Sequence, residues 1–150
     1  MTVTARAIGG EHPEAQRLLA AMEANVGRVY GPVDGAVTSV VEPGELIPPH
    51  GHYVALWADG AAVAGGGVRA LGDPGVAEVK RMWVEPGWRG RGLGRRLLAE
   101  IEAEAAALGF TVLRLDTAGS IADFYLAASY VPIADYNGNA YATFWGEKRL

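Results

Sequence analysis

The chain has 150 residues, a formal net charge of −4, 20% charged and 50% hydrophobic residues, and no cysteine. That length and balance predict one domain over residues 1–150 with a buried core, and exclude disulfides and thiolate metal sites. The mild acidity argues against nucleic-acid binding. With no apolar run of membrane-span length and no signal-like start in MTVTARAIGGEHPE, the expectation is a cytoplasmic protein without a membrane partner.

Residues 2–8 (TVTARAI) predict a short strand, and His12 to about Gly27 a helix opened by Pro13 and striped by Leu18, Leu19, Met22 and Val26. Residues 31–51, with Pro32, Pro43, Pro48 and Pro49, predict an irregular segment that fits a site border and a plain surface loop equally well. Residues 52–58 and 61–70 flank Asp59-Gly60, a strong hairpin signal; Gly65, Gly66 and Gly67 are expected to weaken or bend the second strand. Residues 77–84 predict a strand closed by Glu85-Pro86-Gly87. After a turn rich in glycine and arginine comes a helix from about Leu93 to Leu108, with Leu93, Leu97, Ile101 and Leu108 at helical spacing and Gly109 as its cap. Residues 110–116 predict a strand, and Ser120 an N-cap for a helix to about Ser129. The end predicts a short strand at 131–134, a turn at Asn137-Gly138 and a strand from about Ala140 to Phe144 or beyond. The order β-α-β-β-β-α-β-α-β-β implies an α/β or α+β sheet with helices on its faces.

The segment that carries chemistry is Trp88-Arg89-Gly90-Arg91-Gly92-Leu93-Gly94-Arg95-Arg96, between a predicted strand and a predicted helix. Helix N-termini carry unpaired N–H groups and partial positive charge. Glycines let an anion approach the backbone, and arginines add charge-assisted hydrogen bonds. Together these predict a diphosphate cradle. A Walker loop would need Gly-Lys-Ser/Thr, and the dinucleotide fingerprint would need a glycine where Arg95 stands. A nucleotide enzyme is therefore a poor fit.

The stretch Glu78 to Arg96 resembles the acetyl-CoA motif of the GNAT superfamily of N-acyltransferases, with Arg89, Gly92 and Gly94 at its fixed positions. Leu108-Gly109-Phe110, Leu113-Arg114-Leu115-Asp116-Thr117 and Phe124-Tyr125 five residues before Tyr130 extend the likeness. Two places depart from the pattern: Ala118-Gly119-Ser120 lacks an asparagine common before the last helix, and Ser129 replaces a common glycine. The resemblance implies a mixed, mostly antiparallel sheet flanked by helices. It also implies transfer of an acetyl group from acetyl-CoA, with no metal, to a primary amine of a small molecule or peptide. A homodimer is the assembly that it suggests.

The resemblance further implies roles for individual residues. Backbone N–H groups over Arg91, Gly92, Leu93, Gly94, Arg95 and Arg96 would hold the diphosphate, with Arg89 adding charge and Gly90 shaping the turn. The strand edge at Met82, Trp83 and Val84 would take the pantetheine arm, and Tyr125 would protonate the leaving thiolate. A lysine-like amine has a pKa of about 10.4, so a base must remove its proton. Glu78 is the first candidate, and an exposed strand carboxylate or a partner of Arg81 is its other reading; Asp73, His50 and His52 are weaker candidates. Tyr30, His50, His52 and Tyr53, and the stretch Tyr136 to Tyr141, are candidates for the acceptor wall or for plain packing. A CoA-binding module without catalysis is the alternative function.

Overall fold

The computed structural model describes residues 2–30 and 41–150; the irregular segment expected over 31–51 therefore lies partly outside the described residues. The first half of the sheet is a run of antiparallel neighbours. β1 (Thr4–Ile8) pairs with β2 (Gly51–Ala58), β2 with β3 (Ala61–Ala70), and β3 with β4 (Val76–Val84). Asp59 and Gly60 both have positive φ, 52° and 81°, which is what a two-residue hairpin turn needs to match the twist of its strands.

β5 (Val112–Thr117) joins β4 in parallel, and β7 (Phe144–Arg149) lies antiparallel between β5 and the two-residue β6 (Val131–Pro132). The strand order is β1-β2-β3-β4-β5-β7-β6. The alternation of β2 feeds two cores. Tyr53 and Ala55 pack with Leu18, Leu46 and Trp83 under α1 (Pro13–Tyr30). Val54 and Leu56 pack with Leu97, Leu98, Ile101 and Leu113 under α2 (Leu93–Ala107), beside α3 (Ala122–Ala127). The expected mixed, mostly antiparallel sheet with flanking helices is therefore present, in the expected element order.

The glycine run has a different effect from simple weakening. Gly65 faces Trp83 and Gly67 faces Lys80, so β4 carries one extra residue opposite Gly66. This is a β-bulge, and Arg81 within it has φ 60°. A Cβ on Gly66 would lie 2.9 Å from both Ile101 Cδ1 and Met82 Cγ. The glycine thus leaves room for the bulged strand and α2 to close on the sheet.

Two boundaries are corrected. Ser120 does not cap the last helix: Gly119–Ile121 forms a 3-10 turn, and α3 starts at Ala122 from backbone that is already helical. The last strand begins later than expected, at Phe144 rather than about Ala140, and runs to Arg149. The preceding residues are held by side chains instead. Asp135 Oδ1 accepts from the N–H groups of Asn137 and Gly138 at 2.9 and 2.7 Å, and Asn139 Oδ1 accepts from that of Tyr141 at 3.0 Å. Such local turns compete with a strand ladder. Ser129 takes φ 76° after α3, the left-handed position that a glycine commonly fills.

Candidate active site

β4 and β5 pair only from Val76 to Glu78 against Val112 to Arg114, and beyond that the strands part. The gap opens into a cleft of about 440 Å³. Val79 to Val84 line one side and Asp116 to Ala118 the other, with Gly94, Phe124 and Tyr125 from the helices. Met22, Asn25 and Val26 of α1, and Asn139, Tyr141 and Ala142 of the loop before β7, complete the wall.

At one end stands the N-terminus of α2. Gly90 and Gly92 both have φ 78°, left-handed backbone that only glycine adopts at little cost. No side chain caps the helix, and its first turn holds no acid. The N–H groups of Leu93, Gly94 and Arg95 precede the first intrahelical donor, Arg96, which bonds Gly92 O at 3.2 Å. These bare N–H groups lie at the turn where the sequence places a diphosphate cradle.

The arginines divide between this site and the scaffold. Arg89 Nε donates to Val84 O at 2.9 Å and its guanidinium stacks on Trp83 at 4.7 Å, so Arg89 fastens the end of β4. Arg91 stacks on Trp88 at 4.8 Å, and Arg96 donates to Val3 O at 2.7 Å. Arg95 is exposed on the first turn of α2.

Tyr125 is 8% exposed and lines the same cleft. Its hydroxyl donates to Met82 Sδ at 3.7 Å, which ties it to the bulge of β4. Burial above all, and then the negative charge of Asp116, raise its pKa to about 12. At neutral pH the phenol therefore keeps its proton and can give it up to a strong base formed beside it.

Glu78 lies elsewhere. It is 1% exposed and is absent from the cleft lining. Its Oε1 accepts from Arg69 Nη2 at 3.0 Å and Nε at 3.2 Å, and its Oε2 accepts from the Tyr136 hydroxyl at 2.6 Å. The partner that the sequence suggested for it, Arg81, contributes only a weaker electrostatic influence. Lys80 bridges from Glu78, 3.7 Å away, to Asp116, which it meets at 3.2 Å. Asp116 also accepts from Asn137 and from Asn139. Thus the carboxylate that faces the cleft is Asp116, and Glu78 anchors the network behind it.

The other candidates separate clearly. Tyr141 lines the cleft, while Tyr136 binds Glu78 behind it. Tyr53 is fully buried under α1, and its hydroxyl has no hydrogen-bond partner. His52 pairs with Glu104 of α2 at 2.8 Å, and His50 and Asp73 are exposed in turns. None of these four lines the cleft. The side chain of Tyr30 lies outside the described residues. Sequence reasoning gave Lys80 and Asp116 no role at the site and Arg81 only that of a partner for Glu78, because their meeting depends on the bulge and on a loop from the far end of the chain, where the stretch that holds Asn139 was a wall candidate. Among the described residues, no group of three His, Asp or Glu could hold a metal ion, and no helix is long and apolar enough to cross a membrane.

The cleft thus combines a parted parallel strand pair, an uncapped glycine-rich helix start and a buried phenol. The sequence model of the Acetyltransferase (GNAT) family matches residues 28–125, and the chain belongs to that family. It is 40% identical over 72 residues to an IAA acetyltransferase of Azospirillum brasilense, covering 48% of this chain and 47% of that protein. It is 44% identical over 59 residues to the N-alpha-acetyltransferase RimI of Mycobacterium tuberculosis, covering 38% of this chain and 37% of that one. The chain thus matches about half or less of the length of these curated relatives. Among solved structures, a Klebsiella pneumoniae protein assigned as an acyl-CoA N-acyltransferase superposes with a TM-score of 0.70 at 26% identity, over 99% of this chain and 97% of that one. The PaiA N-acetyltransferase of Thermoplasma acidophilum, solved with coenzyme A, shares the fold at 17% identity and a TM-score of 0.70, with 100% of both chains covered.

Proposed function

We propose that this domain transfers an acetyl group from acetyl-CoA directly to a primary amine of a small molecule or peptide. The observation that carries the reading is the continuity of one cleft from the bare N-terminus of α2 to the Tyr125 hydroxyl. The N–H groups around Arg91 to Arg96 hold the diphosphate, and Arg95 adds charge. The free edge of β4 at Met82, Trp83 and Val84 pairs with the pantetheine arm, as an added strand pairs with a sheet edge. The departures noted in the sequence matter little here, since Ala118 still forms part of the wall.

The acceptor enters from the side of Asp116 and Tyr141. The ammonium loses one proton to become the free amine, its nitrogen bonds to the thioester carbonyl carbon, and the nitrogen gives up a second proton to water as the carbon–sulfur bond breaks. Tyr125 then donates its proton to the departing thiolate. Asp116 is the carboxylate placed to accept the amine proton, directly or through water. Glu78 acts as a positioning residue: through Lys80, Tyr136 and Asn137 it holds Asp116 and the loop of Asn139 and Tyr141 in place. No cysteine is available for a covalent acyl-enzyme.

Calorimetric titration with acetyl-CoA, followed by thiol release on a panel of amines, tests this reading. Micromolar binding with amine-dependent release supports it. Binding without release to any amine would favour a CoA-binding module, and no binding would overturn both readings.

A further inference from the structure

The cleft passes through the plane of the sheet, and the alternation of its two strands shows how. Along β4, Met82 and Val84 pack with the core under α2, and Trp83 with the core under α1. Along β5, Leu113 and Leu115 belong to the core under α2, so the next residue, Asp116, stands on the α1 face. Gly94, Phe124 and Tyr125 line the mouth on the α2 face, beside the proposed diphosphate turn. Met22, Val26, Trp83 and Asp116 line the mouth on the α1 face, which that turn leaves to the acceptor.

This second mouth has a charged end and an apolar flank. Among the described lining residues the charged ones, Lys80, Arg81 and Asp116, all come from β4 and β5. α1 brings the uncharged Asn25 together with Met22 and Val26, which share one helix face a turn apart. Met22 packs against the core that holds Trp83, so the flank is continuous with apolar surface.

We propose that the acceptor is a small monoamine with an apolar body, an alkyl or arylalkyl group: its nitrogen meets Asp116 and its carbon chain lies against Met22, Val26 and Trp83. This rests on the acyl-transfer reading above and narrows it. Each methylene removed from water along such a flank is worth about fourfold in affinity. The unbranched thioether of Met22 adapts to chains of uneven shape. Polyamines and aminoglycosides fit poorly. A second ammonium would find one acid in the described lining, Asp116, and Lys80 already holds it at 3.2 Å. A peptide acceptor would bring amide groups against Met22 and Val26, whose side chains offer them no hydrogen bond.

The test titrates the CoA-saturated protein with hexylamine, its terminal diamine, phenethylamine, ethanolamine and a tetraglycine peptide, then measures acetyl-CoA-dependent thiol release with the same compounds. Hexylamine or phenethylamine is expected to exceed ethanolamine about tenfold or more in kcat/KM, and the diamine to fall about tenfold below hexylamine. In Met22→Gln, which keeps the side-chain length, KM for the apolar amine should rise about tenfold with acetyl-CoA affinity kept, and the preference over ethanolamine should fall toward one. Val26→Thr, nearly isosteric, should act in the same direction and guards against a Met22→Gln protein that fails to fold. Ethanolamine, the diamine or the peptide equal to or better than both apolar monoamines would overturn the inference, as would an unchanged preference in both folded variants. Failure of the wild type to bind acetyl-CoA, or binding without thiol release on any amine, is a separate result that removes the parent reading and this one with it.

Discussion

The two ends of the cleft are built in opposite ways. The proposed cradle at the start of α2 is made from consecutive residues, and what it would offer an anion is backbone: Gly90 and Gly92 in left-handed conformation and the bare N–H groups after them. The acceptor wall is made from side chains delivered by distant segments. Glu78, Lys80 and Arg81 come from β4, Asp116 from β5, and Tyr136, Asn137, Asn139 and Tyr141 from the loop before β7. A backbone site can be damaged only by changing the shape of the turn. A side-chain site can be retuned by single substitutions, provided that its buried charges stay balanced.

The sharpest way to break the cradle alone is Gly92→Glu. A side chain there is strained at φ 78°, and its carboxylate would sit where the diphosphate is expected. Acetyl-CoA affinity should fall by about 100-fold or more, read by calorimetry, while circular dichroism shows a folded protein. Because a Cβ at Gly92 meets no atom within 4 Å, Gly92→Ala should show the milder loss due to backbone strain alone.

Next in size is Tyr125→Phe, which lies between the two ends. Removal of the acid should lower kcat about 100-fold with little change in acetyl-CoA affinity, measured by thiol release and calorimetry. The same residue makes a pH prediction. Its folded pKa is raised from the ordinary 10.0 to about 12, so its contribution to stability is complete below pH 10 and is lost as the pH climbs through 12. Denaturation midpoints of wild type and Tyr125→Phe should therefore converge over that alkaline window and stay parallel below it.

The smallest effect on the cradle should come from Glu78→Gln, which attacks the acceptor wall from behind. Arg69 is 8% exposed and Glu78 1%, so loss of this anion removes a buried ion pair and leaves Arg69 more dependent on Glu45, 3.3 Å away. Chemical denaturation should show a loss of about 3 kcal/mol. Acetyl-CoA affinity should be unchanged within error, and KM for the acceptor raised. A stable Glu78→Gln enzyme with kcat alone abolished would instead make Glu78 the proton acceptor.

The element order, the Asp59-Gly60 hairpin, the helix from Leu93 and the glycine turn at its start were all legible in the residues, because each depends on local periodicity or on backbone that only certain residues permit. The sequence also marked Tyr125 as a cleft residue through its likeness to a known pattern. Three features were decided only by the tertiary structure. Gly66 proved to make room for a bulge, because that requirement comes from Met82 and Ile101 lying against it. The last strand started at Phe144, because side-chain turns at Asp135 and Asn139 took the residues before it. Asp116 rather than Glu78 faced the cleft, because only the parting of β4 from β5 decides which carboxylate is covered and which is exposed to the gap. Backbone conformation is written into neighbouring residues, whereas the company a charged side chain keeps depends on segments that meet only when the sheet is assembled.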